Sequence, residues 1–266
     1  MNALEKIIHS QIAQHGPMDV GQFMAMALSH PEHGYYVCRD PIGGDGDFVT
    51  SPEVSQMFGE VLGAWAAHSW MQMGMPSEFI LLECGPGRGT LMADMLRGCA
   101  GVNGFLDAAQ VHLIEVSAQL KARQAQVLTD YEPQWHARLD DVPSDLPIII
   151  IANEFLDALP FRQLVYLDGT WHERMVGVKG DALVFTTRPS PQALWPQFGT
   201  PKVGDIYEFS APRLNFMEAV CSRLKEGTGA ALFIDYGHGK SAFGDTFQAV
   251  KGHAFSDVLN NAGEAD

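Results

Sequence analysis

The chain has 266 residues, 46% hydrophobic and 18% charged, enough to bury one large core or one core with an inserted lobe. A net charge of -15 at pH 7, with only 17 Lys and Arg, disfavours nucleic acid, whose phosphates are gripped by clustered cations; a basic protein or peptide is the better electrostatic partner, although the same charge would also serve solubility alone. Cys38, Cys84, Cys99 and Cys221 show neither metal spacing nor a disulfide framework, and no apolar run approaches the roughly 20 residues of a membrane span. With no signal or Arg-rich transit pattern at its start, the chain reads as a cytoplasmic bacterial protein.

Residues 1 to 30 read as two short helices around Gly16-Pro17, with Val20, Phe23, Met24 and Leu28 on one side, forming an N-terminal cap. His30 to Thr50 is rich in Gly, Pro and Asp and reads as a mobile loop. Asp45 and Asp47 lack the twelve-residue calcium pattern with its closing glutamate, so no metal site is expected. Ser51-Pro52-Glu53 opens a helix, with serine as N-cap, proline preorganised for the first turn and glutamate suited to the helix dipole. Val54, Met57, Phe58, Val61, Leu62 and Trp65 continue it at helical spacing and predict its core face.

Phe79-Ile80-Leu81-Leu82-Glu83-Cys84-Gly85-Pro86-Gly87-Arg88-Gly89-Thr90 is the stretch around which the rest is organised: a buried strand, a glycine turn and the start of a helix. Glycines allow positive φ and close approach of a ligand. A dinucleotide site wants G-x-G-x-x-G, whereas this turn is G-P-G-R-G with Glu83 two residues ahead of it. That carboxylate repels a pyrophosphate and suits a cationic amino group, such as the one on the methionine end of S-adenosylmethionine. Val111-His112-Leu113-Ile114-Glu115 is a second strand ending in an acid, placed to accept two ribose hydroxyls. Together these residues describe the cofactor half of a class I methyltransferase.

Ser117 to Leu128 reads as a helix with Leu120, Gln124 and Val127 on one side, and Gln134-Trp135-His136 as a third strand. Asp140, in the turn after it, is positioned to accept from an adenine amine and equally reads as a solvated turn acid; His112 and His136 read as packed structural histidines. Ile148 to Ala152 is the most apolar run and predicts a central parallel strand, with Asn153-Glu154-Phe155-Leu156-Asp157 at the carboxyl end where ligands bind in such sheets. This cluster differs from the Asn-Pro-Pro-Tyr type of base-modifying enzymes. The next strand, Ala230 to Asp235, is too distant for an ordinary crossover. Phe161 to Tyr166, Trp171 to Val178 and Ala182 to Thr187 alternate like antiparallel strands, Pro189 to Pro201 is a Pro-rich loop, and Ala211 to Lys225 is helical. This insertion reads as a substrate lobe.

Leu82 to Leu91, His112 to Ser117, Ile151 to Pro160, Asp45 to Glu60 and Phe233-Ile234-Asp235-Tyr236-Gly237 resemble the MidA family of bacterial and mitochondrial proteins. The resemblance runs from about residue 5 to the end. It implies an S-adenosylmethionine-dependent protein arginine methyltransferase whose mitochondrial member assists assembly of respiratory complex I, with a protein substrate such as a complex I subunit. The implied fold is α/β, a Rossmann-like class I methyltransferase sheet with helices on both faces. Residues 1–50 are the helical cap and loop, 51–153 and 230–266 the cofactor-binding core, and 154–229 an inserted α+β substrate lobe. Thr50, Ser51, Glu83, Gly85, Gly87, Gly89, Thr90, Glu115, Asp140 and Asn153 are its expected cofactor contacts. Family members continue beyond the position of Asp266, so the C-terminal strands are expected to be missing; the sequence is then part of a longer chain, or another subunit, as in a homodimer, covers the open strand edge.

Arginine stays protonated, so its methylation needs carboxylates that hold the guanidinium fork and localise its charge. Glu154 is the expected carboxylate, Asp157 its helper or alternatively a helix-start acid on the dipole, and Asp235 or His238 a second wall or proton acceptor. Two rivals stay open: a small-molecule methyltransferase, and a non-catalytic S-adenosylmethionine-binding assembly factor. NAD binding is disfavoured by the sign of Glu83 and the position of Gly89.

Overall fold

The computed structural model describes residues 1–38, 51–190 and 199–266. The chain begins α1 (Ala3–His15), β1 (Met18–Asp19), α2 (Val20–Ser29), α3 (Tyr35–Cys38), α4 (Ser51–Val54), α5 (Gln56–Gln72), β2 (Phe79–Cys84) and α6 (Thr90–Gly98). It continues with α7 (Phe105–Ala108), β3 (Ala109–Ile114), α8 (Ala118–Val127), β4 (Gln134–His136), β5 (Ile148–Asn153), β6 (Arg162–Leu167), β7 (Thr170–Lys179) and β8 (Ala182–Pro189). Last come β9 (Ile206–Phe209), α9 (Ala211–Glu226), β10 (Gly229–Ile234), β11 (Ala249–Lys251) and β12 (Ala254–Ser256). No helix among the described residues is long and apolar enough to cross a membrane.

Two compact units divide the chain, one of Met1–Pro41, Ala158–Arg213 and Gly237–Asp266, the other of Ile42–Asp157 and Leu214–Tyr236. The sequence suggested a separate cap and an inserted lobe; the fold joins them because Met18 and Asp19 pair with Val176 and Met175 in one sheet.

The second unit carries a parallel sheet in the order β10-β5-β2-β3-β4. The chain runs outward from β2 through β3 to β4, then resumes on the other side of β2 with β5 and β10, so the strand order reverses between β2 and β5. Both faces are covered, as near-continuous apolar strands require. Leu81, Ile149 and Ile151 pack with Leu62, Met92 and Met95 on one face, while Ile80, Leu82, Ile148 and Ile150 pack with Val142 and Val220 on the other.

The helix predicted from Ser51 onward is two helices, broken at Ser55, whose backbone is extended at φ -151 and ψ 118. Its core face matches the predicted one only in part, with Leu62 buried and Phe58 and Trp65 packed against the core. Val54, Met57 and Val61 are exposed, and the buried stripe is Gly59, Leu62, Gly63, Ala66, Ala67 and Trp70. The reason is the closeness of α6: a Cβ on Gly59 would lie 2.4 Å from Asp94 Cβ, and one on Gly63 would lie 2.4 Å from Met95 O. The two glycines make the closest part of that contact, beside Leu62. In α8, Leu120 and Gln124 are buried as predicted but Val127 is exposed.

The first unit holds the antiparallel sheet β1-β7-β6-β9, with β8 on β7. Its helices start in capping boxes, Asn2 with Glu5 and Asp19 with Gln22. Val20, Phe23, Met24 and Leu28 are all buried, as their spacing predicted. Buried Glu173 is shared by Arg162 and Arg188. The final residues pack within the first unit, where Leu259 and Ala262 join Leu4, Ile8 and Phe23 in one cluster and Val250 and Asp266 exchange backbone hydrogen bonds at 2.8 and 2.9 Å, while β10 stays the edge of the parallel sheet, as the expected lack of further strands implies. The apolar spacing there is too sparse to announce a core segment.

Candidate active site

The glycine turn joins the end of β2 to α6. Gly85, Gly87 and Gly89 adopt φ of 68, 52 and 86, all in the left-handed region that glycine enters without strain. Gly85 also has no room for a side chain, since a Cβ there would lie 2.9 Å from Phe155 Cδ2. Gly89 caps α6 in the left-handed conformation, and its amide donates to Pro86 O at 2.8 Å.

Glu83 is buried in β2. One carboxylate oxygen accepts from the Met92 backbone amide, and Oε2 is buried with no hydrogen-bond partner. Burial pushes its pKa up to about 8, with the Met92 amide acting in the opposite direction. Asn153 Oδ1, at the end of β5, is a second buried acceptor without a partner. Glu83 pairs with Ile151, and Asn153 lies two residues further along β5, so both side chains belong to one face at the point where the strand order reverses. Two orphaned acceptors, one a carboxylate, fit the ammonium of an amino acid and do not fit a pyrophosphate.

Glu115 follows β3 and is also buried. Its Oε1 accepts from the amides of Val116 and Ser117, both at 2.8 Å, and its Oε2 from Gln124 Nε2 at 3.2 Å. Burial raises its pKa, while the Ser117, Gln124 and Val116 donors and the Lys121 charge oppose the rise. Gln124 Nε2 also donates to Gly87 O at 2.7 Å, and Trp135 Nε1 donates to Gln124 Oε1 at 2.8 Å. Neither Gln124 nor Trp135 stood out in the sequence as a site residue, because a lone glutamine on a helix face carries no motif.

Beyond β5, Glu154 sits at φ 49, sparsely populated for a non-glycine residue, and its amide donates to Ile234 O at 2.9 Å. Asp235, just after β10, holds this bend: its Oδ2 accepts from the amides of Leu156 and Asp157 at 2.8 and 3.2 Å, and its Oδ1 from the Tyr236 amide at 2.8 Å. Asp235 is thus a positioning residue for the bend. Exposed Tyr236 has its phenol pKa raised by burial and by the carboxylates of Glu154, Asp157 and Asp235, and was another residue the sequence did not single out.

The remaining predicted residues are spread over several elements, with Thr90 at the glycine turn itself. Thr50 is outside the described residues, and Ser51 is exposed in α4. Thr90 Oγ1 donates to Glu53 Oε1 at 2.7 Å, and Arg88 lies 3.8 Å from Glu53 Oε2, so Glu53 steadies the turn rather than merely favouring a helix dipole. Asp140 is exposed and bonded to Arg138 at 2.7 Å. His238 is exposed and belongs to the other unit. His112 Nδ1 and His136 Nε2 lie 2.9 Å apart with rings stacked at 5.0 Å, as structural histidines.

Residues 61–266 match the model of a family described as "Putative S-adenosyl-L-methionine-dependent methyltransferase". The chain belongs to this methyltransferase family. It is similar to the protein named arginine methyltransferase NDUFAF7, mitochondrial, from Danio rerio, 36% identical over 98% of this chain and 68% of the relative. The Drosophila melanogaster homologue is 35% identical over 99% of this chain and 67% of its own length. A crystal structure of a Burkholderia thailandensis protein bound to S-adenosyl-homocysteine superposes with a TM-score of 0.82 at 26% identity, covering 99% of this chain and 72% of the other. The chain is thus an S-adenosylmethionine-dependent methyltransferase with an α/β fold built on a parallel sheet. The bacterial cytoplasmic placement does not stand, because the curated relatives are mitochondrial proteins of eukaryotes.

Proposed function

We propose that this methyltransferase methylates an arginine side chain of a protein, with a respiratory complex I subunit as the acceptor to which the MidA resemblance points. The observation that carries the reading is the bend after β5, where Glu154 is held at φ 49 by Ile234 O and the following amides are gathered by Asp235. That places carboxylates at the carboxyl ends of adjacent strands, where the fold binds ligands. The relatives' names as protein arginine methyltransferases agree with it.

S-adenosylmethionine supplies an electrophilic methyl on a sulfonium. Glu83 Oε2 would receive the ammonium of its methionine end, Asn153 would offer a second acceptor, and Glu115 would take the ribose hydroxyls. The glycine turn lets the backbone approach without side chains in the way. Glu154 would bind the guanidinium fork and orient one nitrogen toward the methyl; as the N–CH3 bond forms the S–CH3 bond breaks, S-adenosyl-homocysteine leaves, and the nitrogen's proton passes to a neighbouring carboxylate such as Asp157 and on to water. Tyr236, a phenol that is protonated at neutral pH in any case, offers its exposed ring to a cation.

The test is transfer of radiolabelled methyl groups from S-adenosylmethionine into the proteins of a complex I preparation, with the labelled residue identified by mass spectrometry. Glu154→Gln is expected to lower labelling by about a hundredfold or more while the affinity for S-adenosyl-homocysteine stays within about threefold. A Glu154→Gln enzyme that labels at the wild-type rate, or label found only on residues other than arginine, refutes the assignment.

A further inference from the structure

Gln124 is fully buried in α8, a helix in which only Leu120 is buried beside it. A side-chain amide in that position is costly unless satisfied, and here each end has a partner. Nε2 faces two acceptors, Gly87 O at 2.7 Å and Glu115 Oε2 at 3.2 Å, while Oε1 faces the Trp135 indole donor at 2.8 Å. Those three partners admit one orientation of the amide. The backbone contributes as well, since a Cβ on Gly89 would lie 3.4 Å from Gln124 Cγ.

We propose that Gln124 is a positioning residue for the cofactor, locking the glycine turn and the Glu115 carboxylate into one rigid arrangement. Glu115 Oε1 is already committed to the Val116 and Ser117 amides, so the direction of Oε2 depends on the donation from Gln124. A carboxylate held at both oxygens presents its remaining lone pairs along fixed lines, which two neighbouring hydroxyls of a ribose require. Because the same Nε2 holds Gly87 O, displacement of the turn and misdirection of the carboxylate occur together. Trp135 in turn carries the amide on β4, linking the ends of β2, β3 and β4 through one side chain.

This inference rests on reading Glu115 as the ribose acceptor, and the experiment separates the two. Affinities of S-adenosyl-homocysteine and its 2′,3′-dideoxy analogue are measured by calorimetry for wild type, Gln124→Met, Gln124→Glu and Trp135→Phe. The wild type is expected to bind the parent at least about tenfold more tightly than the analogue. Gln124→Met and Gln124→Glu should weaken the parent about tenfold or more and shrink its advantage over the analogue to within about threefold. Trp135→Phe, which takes the donor from Gln124 Oε1 but leaves both Nε2 acceptors, should shrink the parent's advantage in the same direction as the Gln124 variants and by less. A wild type indifferent to the hydroxyls overturns the Glu115 reading and this inference with it. A wild type that discriminates, alongside Gln124 variants that discriminate equally, overturns the inference alone. Should neither Gln124 variant fold, the indole N–H resonance of Trp135 in the wild type decides: a shift produced by the parent and not by the analogue supports the link, and no shift with either overturns it.

Discussion

Glu83 shows what one residue contributes and what its environment adds. Its sign could be read from the sequence and excluded a pyrophosphate; its unpartnered Oε2 could not, because burial is set by neighbours on β3 and β5. Its pKa near 8 has a sign that can be worked out. An acid ionising at 4.5 in the unfolded chain and near 8 in the fold contributes stability that is fully present below pH 4.5 and lost as pH rises toward 8. Glu83→Gln should therefore raise the thermal midpoint of the cofactor-free protein by several degrees at pH 9 and leave it nearly unchanged at pH 4. The same variant puts a donor where the ammonium belongs, so S-adenosyl-homocysteine affinity should fall about tenfold or more. Equal melting of both proteins at pH 9 would show that Glu83 is not the strained carboxylate. Gln124 is the opposite case: its position facing inward was readable from periodicity, but which groups its amide satisfies was not, since its partners come from three other segments.

At the scale of elements, the helix pair α5 and α6 explains both a success and a miss. Periodicity located a helix after Ser51, and of the face it assigned Leu62 is buried and Phe58 and Trp65 pack against the core, but Val54, Met57 and Val61 are exposed. Counting large apolar residues overlooks close packing, in which glycine is the contact residue because backbones meet there. Gly63 tests this, with Met95 O and Met95 Cα lying 2.4 and 3.0 Å from where its Cβ would be. Gly63→Ala should destabilise the protein by about 1–3 kcal/mol despite the better helix propensity of alanine. Ala64→Ser, exposed on the neighbouring position, should change stability by less than about 0.5 kcal/mol. Denaturant titration of both variants checks the pair; a stabilised Gly63→Ala would mean that α5 and α6 have slack between them.

For the whole molecule, opposed buried groups shape the pH profile. Burial, and after it the neighbouring His136, lowers the pKa of His112 to about 4, so its contribution to stability is present above pH 6.5 and lost as pH falls toward 4. Between pH 4.5 and 6.5 the slopes from His112 and Glu83 oppose each other, and stability of the cofactor-free protein should be flat there and fall on either side. Thermal midpoints at half-unit pH intervals check this, and a profile rising steadily to pH 8 would contradict it. By itself the sequence determined the parallel core, the glycine turn, the acids at the strand ends and the cofactor class, because each is written locally in apolar runs, glycines and charge sign. Only the tertiary structure decided that Asp235 gathers the bend carrying Glu154, that Glu53 engages Thr90, that Gln124 joins turn to carboxylate, and that the N-terminal helices share a unit with the middle of the chain. Hydrogen bonds between segments far apart in sequence leave no period and no spacing for a reader to find, since their geometry exists only once the strands have paired.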